Sequence, residues 1–229
     1  MATKPRVFLT GDTHGPVDSG RIIGPHAKLD RFSSKDSLII LGDFGGVWYG
    51  NWKDDYLLNA YEQLPCNIYF IDGNHENFDA LEKYPEYTVS GARCHVLRNN
   101  LFHVKRGEIL TLDGKKFFCF GGARSIDKAY RTEGTSWWNR EEPSMSEYEN
   151  AENNLDAVGW KVDYVLTHCA PTLTLRRLLP RAIDDPQTDR FEEWDYQLDC
   201  KHWYFGHYHI DQKIDDRHTC LYTKIERVK

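Results

Sequence analysis

The sequence predicts an α/β fold, because short strand-like runs alternate along the chain with segments that can be helical. The runs are mostly four to six residues long, apolar, and rich in β-branched and aromatic side chains, as is typical of buried strands. They lie at residues 6–10, 37–41, 67–71, 115–120, 164–167 and 202–205. Strands that alternate with helices favour a layered fold whose sheet is parallel in part.

Three segments between the strands are predicted as helices. They lie at residues 52–64, 77–83 and 146–158, and the last begins with Ser146 followed three residues later by Glu149, the pattern of a capping box. Residues 94–120 differ, because several short strands and a turn at Asp113-Gly114 predict a local antiparallel meander. The chain would then form two sheets sandwiched between helices.

Composition and charge exclude several classes of protein. The 229 residues are 40% apolar and 28% charged, which excludes a disordered chain. Twenty-nine basic and 35 acidic residues give a net charge of −6, so a long nucleic acid is disfavoured as a partner. No apolar run approaches the roughly 20 residues of a membrane helix, and the start lacks a signal-peptide pattern. We therefore expect a cytoplasmic protein that does not associate with membranes.

Domain organisation and cysteine usage are simple. The chain has no internal repeat, low-complexity tract or linker, so we expect a single domain over residues 1–229. None of the six cysteines forms a C-x-x-C pair, and four lie in or beside apolar runs. Buried, reduced thiols are therefore expected.

Polar residues follow five of the strand-like runs at the point where each run ends. They are Gly11-Asp12-Thr13-His14-Gly15, Gly42-Asp43, Gly73-Asn74-His75-Glu76, His168 and Gly206-His207-Tyr208-His209. In open α/β sheets, ligands bind beyond the carboxyl ends of the strands, so these segments are expected to converge on one crevice. The glycines beside the polar residues suit sharp turns and a close approach of the backbone to a ligand.

The side chains expected in this crevice are typical of a metal centre. The candidate ligands are Asp12, His14, Asp43, Asn74, His168, His207 and His209. Carboxylate and imidazole without thiolate suit Mn, Fe, Zn, Co or Ni better than Ca or a structural zinc. Seven ligands exceed the need of one tetrahedral ion and fit two divalent metal ions that share a carboxylate. Two such ions, two aspartates and a bridging hydroxide leave a positive charge, which attracts a phosphoryl group.

The five motifs, in this order and each after an apolar strand, resemble the calcineurin-like metallophosphoesterase superfamily over residues 11–209. The resemblance implies a four-layer α/β/β/α sandwich with two mixed sheets. It implies two metal ions that share Asp43, one on Asp12, His14, Asp43 and His209 and the other on Asp43, Asn74, His168 and His207. It also implies that His75 is not a ligand but stabilises or protonates the leaving oxygen, while the bridging hydroxide attacks phosphorus.

Three positions depart from the protein serine/threonine phosphatases of this superfamily. Gly46 and Val47 stand where that branch has an aspartate that orients the catalytic histidine and an arginine that binds phosphate. Asp72 stands in place of a second arginine. The resemblance is therefore closer to smaller bacterial and phage-like members, and serine/threonine-type protein phosphatase activity is a disfavoured alternative.

Substrate contacts must then come from other parts of the chain. Residues 121–143 connect a strand to a helix and are too long for a routine link, which is typical of functional loops. Arginine can hold phosphate and tryptophan can stack on a base, and the loop offers Arg124, Arg131, Trp137, Trp138 and Arg140. A second candidate wall of the substrate site consists of Trp48, Tyr49 and Trp52. The mixture suits a nucleotide or another small phosphoester.

The leading hypothesis is a metal-dependent phosphoesterase that acts on a phosphomonoester or a phosphodiester. A non-catalytic scaffold of the same fold is disfavoured because every candidate ligand and His75 are present.

Glu76 is interpreted as a residue that braces its loop rather than as a metal ligand. The histidines outside the motifs are interpreted as structural or surface residues, and they are His26, His95, His103, His202 and His218. The substrate, the native metals and the oligomeric state stay open.

Overall fold

Two β-sheets form the centre of the computed structural model, which describes residues 4–25, 27, 32–183 and 185–229. The strands are β1 (Val7–Thr10), β2 (Ser37–Leu41), β3 (Asn67–Ile71), β4 (Glu86–Val89), β5 (Ala92–Arg98), β6 (Leu101–Val104), β7 (Glu108–Leu112), β8 (Lys115–Phe120), β9 (Tyr164–Thr167), β10 (His202–Phe205), β11 (Gln212–Lys213), β12 (His218–Cys220) and β13 (Glu226–Arg227). The α-helices are α1 (Gly20–Ile23), α2 (Trp52–Glu62), α3 (Phe78–Leu81), α4 (Met145–Ala157), α5 (Thr172–Leu178) and α6 (Pro186–Gln197).

Both sheets are mixed. The strand order is β13-β1-β2-β3-β6-β5-β4 in the first sheet and β11-β12-β10-β9-β8-β7 in the second. The inner strands β1, β2, β3 and β6 run parallel, as do β8, β9, β10 and β12, and the outer pairs are antiparallel. As a result, the carboxyl ends of β1, β2 and β3 meet at one edge of the first sheet. The carboxyl ends of β9 and β10 meet at one edge of the second.

The alternation of side chains along the strands builds the layers. On β2, Ile39 packs between the two sheets in one cluster with Leu166 of β9. Its neighbour Ile40 points to the opposite face and packs in a second cluster with Leu58 of α2. Successive side chains of a strand point to opposite faces, so a strand buried on both sides is apolar throughout.

The second sheet is covered in the same way on its outer face. Val165 of β9 shares a third cluster with Leu155 of α4, Leu175 of α5 and Trp194 of α6. Helices therefore cover the outer faces of both sheets. The result is the α/β/β/α sandwich with two mixed sheets that the family resemblance implied.

All six predicted strands are present, and only the first is shorter, by one residue. The helix predicted at 146–158 begins instead at Met145, and its capping box joins Ser144 to Glu147, so the prediction of Ser146 with Glu149 was wrong. The helix predicted at 77–83 is reduced to one turn, α3.

The predicted meander over residues 94–120 needs a second correction. Strands β5 and β6 pair antiparallel in the first sheet, whereas β7 and β8 form a hairpin in the second. The hairpin turns at Asp113 and Gly114, whose φ angles of 50° and 72° suit a tight turn. The chain therefore crosses from one sheet to the other between β6 and β7, and the four strands do not form one meander.

Two further observations concern the whole described chain. All six cysteines are free, and five of them are buried; they are Cys66, Cys94, Cys119, Cys169 and Cys220. Among the described residues, no helix combines the length and the apolar character that crossing a bilayer requires.

Candidate metal centre

The candidate ligands follow the carboxyl ends of five parallel strands. Asp12 lies two residues beyond β1, Asp43 two beyond β2 and Asn74 three beyond β3. From the second sheet, His168 follows β9 directly and His207 lies two residues beyond β10. Because these strand ends lie on the same side of the sandwich, the side chains of both sheets face one cavity.

Two groups of possible metal donors occupy this cavity. In each group the donor atoms lie within 4.8 Å of one another, and the groups are Asp12, His14 and His209, and Asp43, His168 and His207. The carboxylate of Asp43 joins the groups, since its Oδ2 lies 3.4 Å from His14 Nε2 and its Oδ1 lies 3.4 Å from His168 Nε2. A carboxylate that presents one oxygen to each group has the geometry of a bridge.

Asn74 faces the second group with its oxygen. Its Oδ1 lies 3.2 Å from His168 Nε2, and its Nδ2 donates to Ser125 Oγ at 3.0 Å. The Ser125 hydroxyl donates its own hydrogen to Glu141 at 2.7 Å, so it can only accept from Asn74. This buried chain fixes the amide with its oxygen towards the cavity, which is the atom a metal ion would bind.

The imidazoles are oriented by their second nitrogens. His168 Nδ1 lies 2.7 Å from the carbonyl oxygen of Leu41, and His14 Nδ1 lies 2.8 Å from Asp18 Oδ2. In both rings Nε2 is thereby directed to the cavity, as in metal sites whose histidines are held by a backbone or carboxylate partner. Glu76 accepts from the backbone nitrogens of Phe44 and Gly45 and braces that turn.

The backbone around the site is strained. Positive φ angles occur at four candidate ligands, and residues other than glycine rarely adopt them. The angles are 43° at His14, 44° at Asp43, 68° at His207 and 52° at His209. Each such residue costs on the order of 1 kcal/mol or more, and strain of this kind concentrates at functional sites. Gly73 is required for close packing, because a Cβ atom there would collide with Asp43 Oδ1.

Comparison with known proteins identifies the family. The sequence model of the calcineurin-like phosphoesterase family matches residues 5–211. The chain belongs to this family. Its fold is similar to the phosphopantetheinyl hydrolase from Mycobacterium tuberculosis, with 12% identity, a TM-score of 0.55, and coverage of 100% of this chain and 97% of that one. No curated protein shows significant sequence similarity.

A putative 5'-nucleotidase from Staphylococcus aureus is a more distant structural match to this calcineurin-like phosphoesterase. It is 14% identical, with a TM-score of 0.46, and the match covers 95% of this chain and 48% of that one.

The charges at the centre of this calcineurin-like phosphoesterase suit a bound cation. Burial would raise the pKa of Asp43, but the His168 and His14 imidazoles hold it well below its usual range. In return, Asp43 raises the pKa of His168 to about 9 against the effect of burial. None of the described residues donates a hydrogen bond to the buried Asp12 Oδ2, although His209 Nε2 lies 3.2 Å from it. A buried carboxylate oxygen without a donor is costly unless a cation neutralises it, so the residues fit divalent metal ions.

His75 lies beside the donor groups rather than within them. Its backbone nitrogen donates to Asp43 Oδ1 at 2.7 Å, and its ring centre is 5.8 Å from that of His14. Burial and then the Arg131 and His14 charges lower its pKa, although Asp43 opposes them. The Arg131 guanidinium donates to His75 Nδ1 at 2.9 Å and also pairs with Asp127.

The other predicted substrate residues fall into different environments. Trp138 is buried, donates to Asp79 and packs edge-on against Trp48 at 5.6 Å, so it supports the loop. Trp137 is half-buried under the Lys128 ammonium, 5.4 Å from the ring centre. Arg124 and Arg140 are exposed, and Arg140 pairs with Asp79. Of the predicted loop residues, Arg131 is the one that contacts His75.

Several residues at the site carry no sequence motif. Ser125 and Glu141 lie 16 positions apart, and Asp18 is an ordinary polar residue after the first motif.

The remaining histidines are structural where they are described: His95 and His103 are buried together, and His218 is bonded to Asp215. His202 is half-buried and bonded to Thr219. His26 lies outside the described residues.

Proposed function

We propose that this calcineurin-like phosphoesterase is a metal-dependent hydrolase of small phosphomonoesters or phosphodiesters, acting as one domain in the cytoplasm. It would hold two divalent ions (Mn, Fe, Zn, Co or Ni) on Asp12, His14, Asp43, Asn74, His168, His207 and His209. The supporting observation is the Asp43 carboxylate, which presents one oxygen to each donor group. When bound, the two ions would supply a bridging hydroxide and neutralise charge on the phosphoryl group. The free cysteines suit a reducing compartment.

His75 would act on the leaving oxygen. Its position is set by the bond from its backbone nitrogen to Asp43, which ties it to the bridging carboxylate. A half-buried imidazole beside the donor groups can donate a hydrogen bond or a proton to the departing oxygen. We assign no metal to it, because its side chain belongs to neither donor group.

Arg131 would contact the phosphoryl oxygens. Protein phosphatases of the family use arginines at the positions of Val47 and Asp72, which this chain lacks. The guanidinium of Arg131 lies 2.9 Å from His75 Nδ1 and is held by Asp127. An arginine from the 121–143 loop would thereby replace the missing cation, because guanidinium suits phosphate oxygens.

Serine/threonine protein phosphatase activity is disfavoured by the surroundings of Asp72. Its carboxylate is buried and satisfied by Arg106 and His103, so this position takes part in the core rather than in phosphate binding. A non-catalytic scaffold is disfavoured by the strained backbone at four candidate ligands, which a mere binding surface does not require.

The test is hydrolysis of bis-p-nitrophenyl phosphate by metal-free and Mn-loaded protein, with a phosphoserine peptide as the second substrate. We expect Mn-dependent turnover of the ester, and His75→Ala is expected to lower kcat by about 10²- to 10⁴-fold, as for loss of a general acid. Its metal content should stay that of wild type. His202→Ala is the control, since His202 begins the strand whose opposite end carries the site. Equal rates with and without metal would refute the proposal.

A further inference from the structure

A groove of about 570 Å³ opens beside the candidate metal centre. Its lining includes His14 and His75, so it is continuous with the place where a phosphoester would react. The volume lies within the range of about 300–1,000 Å³ that is usual for small-molecule sites. A group attached to the leaving oxygen would therefore extend into this groove.

Two chain segments line the groove with apolar surface. Residues 14–25 contribute Pro16, Ile23 and Pro25, and residues 45–60 contribute Trp48, Tyr56 and Leu57. Tyr56 is 85% exposed, and its neighbour in the groove, Tyr49, is 59% exposed. Large aromatic rings left in water beside an active site are typical of binding surfaces, since flat rings stack readily.

The described lining of the groove has one acidic and one basic side chain, and each already has partners. Both oxygens of Asp54 accept backbone hydrogen bonds, from Tyr49 at 3.0 Å and from Gly50 at 2.7 Å. The Lys53 ammonium lies 4.9 Å from the centre of the Tyr49 ring. Among the described residues that line the groove, these two and the imidazoles of His14 and His75 are the ionisable groups other than tyrosine. The groove therefore suits an uncharged group rather than a second phosphate.

We propose that this groove binds a planar aromatic group carried on the leaving oxygen of the phosphoester, an inference that rests on the proposed function. The occupant would stack on the rings of Trp48, Tyr49 or Tyr56 while His75 faces the oxygen that departs. An aryl or arylalkyl ester and a nucleotide share this chemistry. A purely aliphatic ester would gain less, because it lacks a ring to stack.

The kinetic test compares 2-phenylethyl phosphate with ethyl phosphate, whose leaving alcohols are of comparable acidity. We expect kcat/KM to favour the aromatic ester by about 10- to 100-fold, the gain from burying one ring. Adenosine monophosphate against ribose 5-phosphate tests the nucleobase, and octyl phosphate tests an aliphatic chain. Equal values for the first pair, or a preference for octyl phosphate, would overturn the proposal.

Two variants locate the preference in the groove. Gly20 lines it, and a Cβ atom there would meet nothing within 4 Å, so Gly20→Leu adds bulk from a position with open space around the Cβ. We expect Gly20→Leu and Tyr56→Ser to reduce the aromatic preference several-fold. Tyr196→Ser is the matched control, an exposed helical tyrosine outside the groove, and it should leave the preference unchanged. A preference that survives both groove variants would refute this location.

Binding without turnover separates this inference from the proposed function. Calorimetry with 2-phenylethylphosphonate and ethylphosphonate measures the contribution of the ring when no ester is cleaved. If no ester is hydrolysed in the presence of metal, the proposed function fails, and the phosphonates still test the groove. Tighter binding of the aromatic phosphonate that Gly20→Leu weakens would support the groove; equal binding of the two would refute it.

Discussion

Two buried aspartates at neighbouring strand ends, Asp72 after β3 and Asp43 after β2, obtain their positive partners in different ways. Asp72 accepts from the Arg106 guanidinium at 2.8 Å and lies 3.2 Å from His103 Nε2, which hold its pKa below the usual range although burial opposes them. Asp43 faces imidazoles of His14 and His168, which are cationic only when protonated. The fold supplies a permanent cation to one carboxylate and leaves the other open to an external cation.

Two other carboxylates, neither of which is a candidate ligand, differ from Asp12 in a similar way. Asp36 and Glu141 each have both carboxylate oxygens bonded to nearby donors. At the site, by contrast, the buried Asp12 Oδ2 receives no hydrogen bond from any residue that the structure describes. Polar side chains that the fold satisfies internally support the structure, whereas an unsatisfied one at a strand end indicates binding.

Removal of the permanent cation should have the largest effect on stability. Arg106→Met leaves Asp72 buried with no guanidinium, and we expect the free energy of unfolding to fall by about 3–5 kcal/mol. Chemical denaturation measures it. Arg177→Met is the control, because Arg177 pairs with Asp215 at the surface, where the two side chains are 61% and 30% exposed, and it should cost less than about 1 kcal/mol. Equal losses of unfolding free energy in the two variants would contradict the distinction between buried and surface ion pairs.

Loss of the Asn74 support should weaken metal binding without unfolding the protein. Ser125→Ala removes the acceptor that orients the Asn74 amide, so metal affinity should fall by about 10- to 100-fold. Calorimetric titration with Mn measures the affinity, and Ser146→Ala, on the exposed surface of α4, is the control. Unchanged affinity in Ser125→Ala would mean that the chain to Glu141 does not position the ligand.

Acidification should have the smallest effect on stability, through the hydrogen-bonded carboxylate of Asp36. Bonding to Arg6 lowers the pKa of Asp36 from 3.8 to about 2. A lowered folded-state pKa adds stability above pH 4, and this stability is lost as the pH falls towards 2. The free energy of unfolding of wild type should exceed that of Asp36→Asn by about 1–2 kcal/mol at pH 6, and by much less at pH 2. Chemical denaturation at the two pH values measures the difference. A difference independent of pH would contradict an ionic role for Asp36.

Sequence reasoning succeeded where local pattern determines structure. A strand such as β2 is apolar throughout because both faces are buried, and its carboxyl end lies at the functional edge because its neighbours are parallel. The ordered motifs therefore predicted which side chains meet, although they lie far apart in sequence.

Tertiary contacts decided the features that the sequence left open. Ser144 with Glu147 and Ser146 with Glu149 both fit a capping box, and the first is formed where Glu147 also pairs with Arg106 at 3.3 Å. The partnership of Ser125 with Glu141 depends on how a long loop folds back. Trp138 has the composition of a substrate contact, but its packing on Trp48 places it in the interior.

Metal stoichiometry tests the central claim most directly. Protein equilibrated with Mn and freed of loosely bound ions should contain two ions per chain by elemental analysis, and Asp43→Asn should retain less than one. The reason is that Asp43 presents one oxygen to each donor group, so its loss weakens both positions at once. A single ion per wild-type chain at saturation, or two ions in Asp43→Asn, would contradict a centre built around a shared carboxylate.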